Sequence, residues 1–329
     1  MVSLKKELLL TLKNKPGEWV SGESVSAKLQ VTRSAIWKHV QKLRDQGYEI
    51  QSAPKLGYML LKWPEKTNPD EIRTGLQTEI FGQTELIYLP ETDSTNRVAK
   101  DLALKNAPEG TLVIAEKQTQ GRGRLGRQWF SPADEGVYIS LIIRPAIPPQ
   151  EAPKLTLLTA VAIADAIIDL TGLPIHIKWP NDILINAKKT AGILTEINSE
   201  MDRVNYIVVG LGLNVNTPSF PDEIKDLATS LFLETGQKWS RLKVVQAYLH
   251  WFEKYYTLFT QSGFSPVLKR WKELTRMIGK SISVVMLNEQ YRGVVQDIDS
   301  DGALIIKNPN GNIQRIICGD VTILKGVYS

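Results

Sequence analysis

The chain has 329 residues, 43% hydrophobic, 8% aromatic and 23% charged, which excludes disordered, collagen-like and coiled-coil classes. Its longest apolar runs, residues 139–143 and 207–213, are strand-length and far short of the ~18 residues a membrane span needs. One cysteine, Cys318, and three scattered histidines exclude an internal disulfide and leave no zinc-ligand cluster, so no metal site is expected and a reducing, cytoplasmic setting is. The start of the chain leads into an amphipathic pattern carrying Glu7, without the apolar block of a signal peptide.

The net charge of +5 is unevenly placed. Residues 1–65 hold eleven Lys and Arg against six Asp and Glu, whereas the remaining chain holds 29 of each. Segment 62–69, interrupted by Pro64 and Pro69, reads as the linker after this basic part. A small basic module on a neutral body points to a polyanion-binding attachment.

Within the module, Leu4, Leu8, Leu9 and Leu12 recur at helical spacing, and residues 14–17 end that helix. A short second helix follows over 24–29. Thr32 is placed to cap a third, whose inward stripe is Ala35, Ile36, His39, Val40 and Leu43. The other face begins at Thr32 and carries Arg33, Ser34, Trp37, Lys38 and Gln41, residue types that reach phosphates and base edges. Two short strands, 48–51 and 57–61, flank a turn at 53–55. Three helices and a β-ribbon resemble a winged helix-turn-helix with its recognition helix in the DNA major groove. A helical protein-interaction module with a solvated basic face fits the same pattern. His39 faces inward and reads as a core or capping residue.

In the body, Ser94 is placed to cap a helix through Val98, Leu102 and Leu104, and residues 153–170 form a second, with Leu157, Val161, Ala164 and Ile168 on one face. Candidate strands are 87–89, 111–116, 137–143, 175–179, 191–197 and 206–213. So many strands for two helices predict an α+β sheet with helices on one side.

Gly121-Arg122-Gly123-Arg124-Leu125-Gly126 fits the dinucleotide-binding G-x-G-x-x-G pattern by letter. Its last glycine opens no helix, however, and three arginines would crowd the backbone approach that such glycines permit. The loop instead combines mobility with Lys117, Arg122, Arg124 and Arg127, and suits a small anion that guanidinium groups can grip. A solvated basic loop or a nonspecific nucleic-acid contact is the plainer alternative. Further on, Lys178-Trp179-Pro180-Asn181-Asp182 ends a strand, and Lys189 precedes the next. Asp182 and Lys189 at the ends of a hairpin can sit side by side, either as a reactive pair or as a simple salt bridge.

Taken in chain order, these motifs resemble the biotin–protein ligases. They are Asp93-Ser94-Thr95-Asn96, the stretch from Gln118-Thr119-Gln120 through the glycine-arginine loop to Gln128-Trp129, Lys178-Trp179-Pro180-Asn181-Asp182, Lys189 with Ala191-Gly192-Ile193, and Gly210-Leu211-Gly212-Leu213-Asn214-Val215-Asn216. With the basic module in front, the resemblance is to the bifunctional ligase and biotin-operon repressor of bacilli, over nearly the whole chain. It implies an α+β multidomain protein. Its parts are a winged helix-turn-helix over 1–65, a class II synthetase-like catalytic domain of mixed sheet and helices over 66–274, and an SH3-like β-barrel over 275–329. Short strands near 282–285, 291–295, 303–306 and 314–317, with turns at Asp301-Gly302 and Asn310-Gly311, agree with that barrel.

The resemblance further implies that biotin and ATP form biotinyl-5′-AMP, from which biotin passes to a lysine of a carboxylase carrier domain. Arg124, Lys189 and Asp182 match the catalytic residues. Ser94, Thr95, Asn96, Gln118, Arg122, Gly123, Arg124 and Lys189 match the biotin site, and Arg124, Arg127, Trp129 and Asn181 the ATP site. Mg²⁺ is expected with ATP, and no prosthetic group is expected. The implied partners are carrier domains, operator DNA, bound through Thr32, Arg33, Ser34, Trp37, Lys38 and Gln41, and a second copy of the chain when adenylate is bound. No membrane partner is implied. A catalytically silent biotin sensor and a lipoate-type ligase are the rival functions.

Overall fold

The computed structural model describes residues 4–62, 67–286 and 289–324, apart from Gln46 and the side chain of Lys6. Residues 63–66 of the expected linker lie outside the described residues. The chain divides into two compact units, Met1–Gly75 and Leu76–Ser329.

The first unit contains α1 (Leu4–Lys13), α2 (Gly22–Leu29), α3 (Arg33–Asp45) and an antiparallel ribbon of β1 (Glu49–Ala53) and β2 (Gly57–Lys62). The second helix starts two residues earlier than its apolar spacing suggests. The Ser21 hydroxyl accepts from the Glu23 amide at 3.3 Å and also caps Ser24, so the hydrophilic first turn is held by its cap. Gln30, in the left-handed region with φ 53°, turns the chain, and Thr32 Oγ1 then accepts from the Ala35 amide at 3.3 Å as the spacing predicts. Leu8, Leu9, Leu12, Val25, Ile36, Val40, Leu43 and Leu60 form one buried cluster. At Gly57, φ is +101° and a Cβ would run into the Val20 carbonyl, so only glycine lets the ribbon close on the preceding segment. A short α4 (Pro69–Thr74) falls within this unit, although the linker had suggested that it begins the body. Asn68 caps it, Lys5 Nζ lies 3.0 Å from Asp70, and Lys13 pairs with Glu71.

The second unit is built on a seven-stranded sheet. Its elements are β3 (Leu86–Leu89), α5 (Thr95–Leu104), β4 (Leu112–Ala115), β5 (Gly136–Ile143), α6 (Pro153–Thr171), β6 (His176–Lys178), β7 (Asp182–Ile185), β8 (Lys188–Ser199), β9 (Val204–Asn214), α7 (Leu231–Thr235), α8 (Arg241–Ser262) and α9 (Ser265–Leu274). The strand order is β3-β4-β5-β9-β8-β7-β6, with β3 parallel to β4 and the other neighbours antiparallel. The mixed sheet is as expected, but its helices lie on both faces. Along β9, Tyr206 and Val208 pack on Ala99 and Ala103 of α5. Thr195 of β8, paired with Val209, points the other way, and its hydroxyl is 2.8 Å from Thr156 of α6. α5 is short and apposes small alanines to the sheet, so it covers only part of its face and leaves the rest open. α8 and α9, which pack on α6, were not anticipated. The buried face of α8 is rich in aromatics (Tyr248, Phe252, Tyr255, Tyr256, Phe259), which are weak helix formers held helical by tertiary packing.

The end of this unit is the expected SH3-like module of antiparallel strands, β10 (Ser281–Met286), β11 (Glu289–Ile298), β12 (Leu304–Lys307), β13 (Ile313–Ile316) and β14 (Asp320–Ile323), in the order β13-β12-β11-β10-β14. Gly302 and Gly311 both carry φ +85° at the expected turns. No described helix is long and apolar enough to cross a membrane.

Candidate active site

A cleft open to solvent lies on the α5 face of the sheet. Its floor is made of glycines. Gly192 of β8 pairs with Gly212 of β9, and Leu194 pairs with Gly210, so these four residues share one face. A Cβ on Gly212 would strike the Trp129 indole, and one on Gly210 would strike the Asn96 amide. The G-L-G segment therefore removes side chains where an aromatic ring and an amide must lie flat against the strands.

One end of the cleft is polar and uncharged. The Thr95 amide and hydroxyl donate to Gln118 Oε1 at 2.9 and 3.1 Å, and Gln118 Nε2 donates to Ser131 at 3.0 Å. Ser94 is the residue before α5 but makes no side-chain cap, contrary to expectation; the Thr95 amide at the helix start is satisfied by Gln118 instead. That leaves the buried Ser94 hydroxyl lining the cleft. Asp93 accepts from the Ser94 amide at 2.7 Å and pairs with Arg97, whose hydrogen bond above all holds the Asp93 carboxyl down at about 2.

The other end is charged. Lys189 Nζ lies 2.6 Å from Asp182 Oδ1 and 5.3 Å from the centre of the Trp129 ring. The Lys189 backbone is pinned by Leu227 and Thr229, whose carbonyl and amide bond it at 2.7 and 2.9 Å; nothing in the spacing announced this strand-like contact. Arg124 Nη1 donates to Asn181 Oδ1 at 3.2 Å, and Asn181 Nδ2 donates to the Ile193 carbonyl at 2.8 Å.

The glycine-arginine loop is tied back on itself. Trp129 N donates to the Gly121 carbonyl at 2.8 Å and Gly123 N to the Arg127 carbonyl at 2.7 Å. Arg127 also pairs with Asp320 of β14, a cleft residue that sequence reasoning missed because it sits almost 200 residues away in the C-terminal module. Leu125, at φ 54°, turns its side chain out to solvent.

Every residue expected in the catalytic, biotin and ATP sets lines this one cleft: Ser94, Thr95, Asn96, Gln118, Arg122, Gly123, Arg124, Arg127, Trp129, Asn181, Asp182 and Lys189. Its four cationic side chains face two carboxylates, Asp182 and Asp320, so the lining keeps a surplus of positive charge for an anionic ligand. Among the described residues no group of three metal-ligating side chains occurs. The expected DNA-reading set lies in the first unit, where Thr32, Arg33, Ser34, Trp37 and Lys38 are exposed and Gln41 is half-buried.

Comparison with known proteins agrees with this division. The Biotin/lipoate A/B protein ligase family matches residues 88–214, an HTH domain family residues 5–59, and the biotin protein ligase C-terminal domain residues 277–324. The bifunctional ligase/repressor BirA of Bacillus subtilis is 45% identical over 98% of this chain and 99% of its own length. That of Escherichia coli is 30% identical over 93% and 94%. The structure of the biotin protein ligase from Aquifex aeolicus in complex with biotin and ATP matches with a TM-score of 0.64 at 30% identity, over 74% of this chain and 99% of that one. The chain belongs to the biotin–protein ligase family, in its bifunctional ligase and repressor form.

Proposed function

We propose that the cleft joins biotin to ATP and then to a carrier-domain lysine, and that the first unit carries the ligand state to operator DNA. The observation that carries the reading is the meeting of an uncharged polar pocket with Arg124, Lys189 and Asp182 in one continuous cleft.

In the first step a biotin carboxylate oxygen attacks the α-phosphorus of ATP, and the bond to the outgoing diphosphate breaks. Two anions must approach, so the barrier is largely electrostatic. Arg124 and Lys189 supply fixed positive charge at that junction. Each is held by a protein acceptor, Asn181 and Asp182, from which substrate oxygens displace it. Trp129 offers a ring against bare Gly212 for the adenine, with Asn181 beside it, and Arg127 reaches the phosphates. Ser94, Thr95 and Gln118 hold the uncharged ureido ring, and Arg122 and Gly123 close over the biotinyl group. In the second step the acceptor amine attacks the anhydride carbonyl, an amide forms, AMP leaves, and the amine's excess proton is lost. Asp182, freed when Lys189 turns to substrate, orients that amine.

Mg²⁺ enters with the nucleotide, held mainly by phosphate and water, since among the described residues no three metal-ligating side chains gather into a cage.

For regulation, α3 presents Thr32, Arg33, Ser34, Trp37, Lys38 and Gln41 to DNA. Adenylate binding favours a homodimer, which sets two such helices on paired half-sites. The domains acting in this way are 1–65, on which α4 packs, 66–274 and 275–329, and the protein acts in the cytoplasm. Incubation with biotin, α-labelled ATP and a carrier domain tests the catalytic reading. Labelled biotinyl-AMP and a biotinylated carrier are expected. Absence of the adenylate would leave only a sensor, and transfer of lipoate alone would select a lipoate ligase.

A further inference from the structure

Asn96 lines the cleft, yet both ends of its amide are engaged by protein. Its Nδ2 donates to the Leu194 carbonyl at 3.2 Å and to Glu196 Oε2 at 3.0 Å, and Glu196 is held in turn by Lys100 at 3.2 Å. The amide orientation is therefore dictated, and Oδ1 must face Ser140, a fully buried hydroxyl 2.6 Å away. Gly210 makes the arrangement possible, because any side chain there would occupy the position of Oδ1.

Ser140 Oγ carries one proton and touches two acceptors, Asn96 Oδ1 at 2.6 Å and Thr95 Oγ1 at 2.9 Å. Asn96 Oδ1 can only accept, and it lies nearer, so it takes the proton. Thr95 spends its own proton on Gln118 Oε1 at 3.1 Å. Thr95 Oγ1 is left with lone pairs and no committed protein donor, in a residue that lines the cleft and is almost fully buried. A buried acceptor in that state is costly until a ligand supplies a donor.

We propose that Asn96 and Ser140, oriented by Glu196, are positioning residues that hold Thr95 Oγ1 as a bare acceptor, so that the pocket selects a substrate ring bearing an N–H. The inference rests on the biotin reading of the cleft and deepens it. Specificity comes from a chain of hydrogen bonds in which only the last atom touches substrate.

The test compares biotin with the two cyclic carbamate analogues in which one or the other ring N–H is replaced by oxygen. Binding to the full-length protein is measured by calorimetry. One of the two analogues is expected to bind roughly 10- to 100-fold more weakly than biotin. Asn96→Leu releases the Ser140 proton to turn towards Thr95 and occupy one of its two lone pairs, and this variant is expected to lose part of that discrimination. Adding Ser140→Ala to it removes the competing donor and is expected to restore the preference, which a merely structural role for either residue would not do. Equal binding of biotin and both analogues by the wild-type protein would overturn the relay, and needs no variant to fold. Failure of the double variant to regain discrimination, with biotin still bound, would overturn it too. No binding of biotin itself would remove the underlying reading and the relay with it.

Discussion

Lys189 and Arg124 each sit on a polar partner, from which substrate displaces them in the proposed mechanism, and their removal is expected to separate two steps. Lys189→Ala is expected to slow adenylate formation, read as isotope exchange between pyrophosphate and ATP. Arg124→Ala is expected to shorten retention of the adenylate, by about 1.5–3 kcal/mol for each lost charge-assisted bond, read as its dissociation rate. Unchanged values in both would refute the assignment. Gly212 offers a sharper check, because β9 is paired on both sides there and its backbone cannot yield. In Gly212→Ala the indole of Trp129 must move, at the ~1–3 kcal/mol typical of overpacking. KM for ATP is expected to rise while binding of biotin alone is unaffected, which kinetics and calorimetry distinguish. The identities of these residues were legible from their motifs. What the motifs did not show was the state of Asn96, whose side chain faces the protein rather than open solvent, nor the arrival of Asp320 from the far end of the chain.

The start of α5 carries a charge-dependent contribution to stability. Asp93 is held at about 2 chiefly by its hydrogen bond to Arg97, well below the ordinary carboxylate value. A group depressed in the folded state stabilises fully above its unfolded pKa, and that stability is lost as pH falls from about 4 towards 2. Asp93→Asn is expected to flatten the acid limb of the stability curve in that window, seen as a smaller fall in melting temperature between pH 4.5 and pH 2.5 by calorimetry (the wild-type protein serving as reference over about the same range). The same helix shows where element reading from sequence stops. Ser94 in front of an apolar stripe marked its N-terminus correctly, but the capping partner is Gln118, brought in by a different loop. β7, at a hairpin read only by its ends, was missed, whereas α1, α3 and the ribbon strands followed directly from spacing. α8 did not, since its aromatic stripe has little helical propensity of its own.

At the scale of the whole molecule, catalysis and DNA binding lie in separate compact units, so they should come apart. Removing residues 1–75 is expected to abolish operator binding and leave adenylate synthesis intact; loss of both would show that the units depend on each other. The DNA affinity of the intact protein is expected to fall steeply with salt, by about −0.9 in log–log slope for each neutralised phosphate. A flat response in a filter-binding or fluorescence titration would count against the basic face as the DNA contact. Titrations without ligand, with biotin and with biotin plus ATP are expected to give the tightest binding in the last case, if the proposed adenylate-favoured homodimer carries the two DNA-reading helices. Equal affinities in all three would sink that coupling.

By itself the sequence determined the confinement of net positive charge to residues 1–65, the winged-helix pattern, the strand-rich character of the body and the five motifs that meet in the cleft. Those features are local: helical spacing, a cap, a turn glycine or a run of charged residues acts over a few positions and leaves a readable trace. Only tertiary structure decided that α5 and α6 lie on opposite faces of the sheet, that Leu227 and Thr229 pin Lys189, and that Asp320 meets Arg127. Each of these depends on segments distant in sequence meeting in space, and nothing in either segment records its partner. The direction of the hydrogen bonds through Asn96, Ser140 and Thr95 is of the same kind, since it follows from which carbonyls and carboxylates the folded sheet places around one amide.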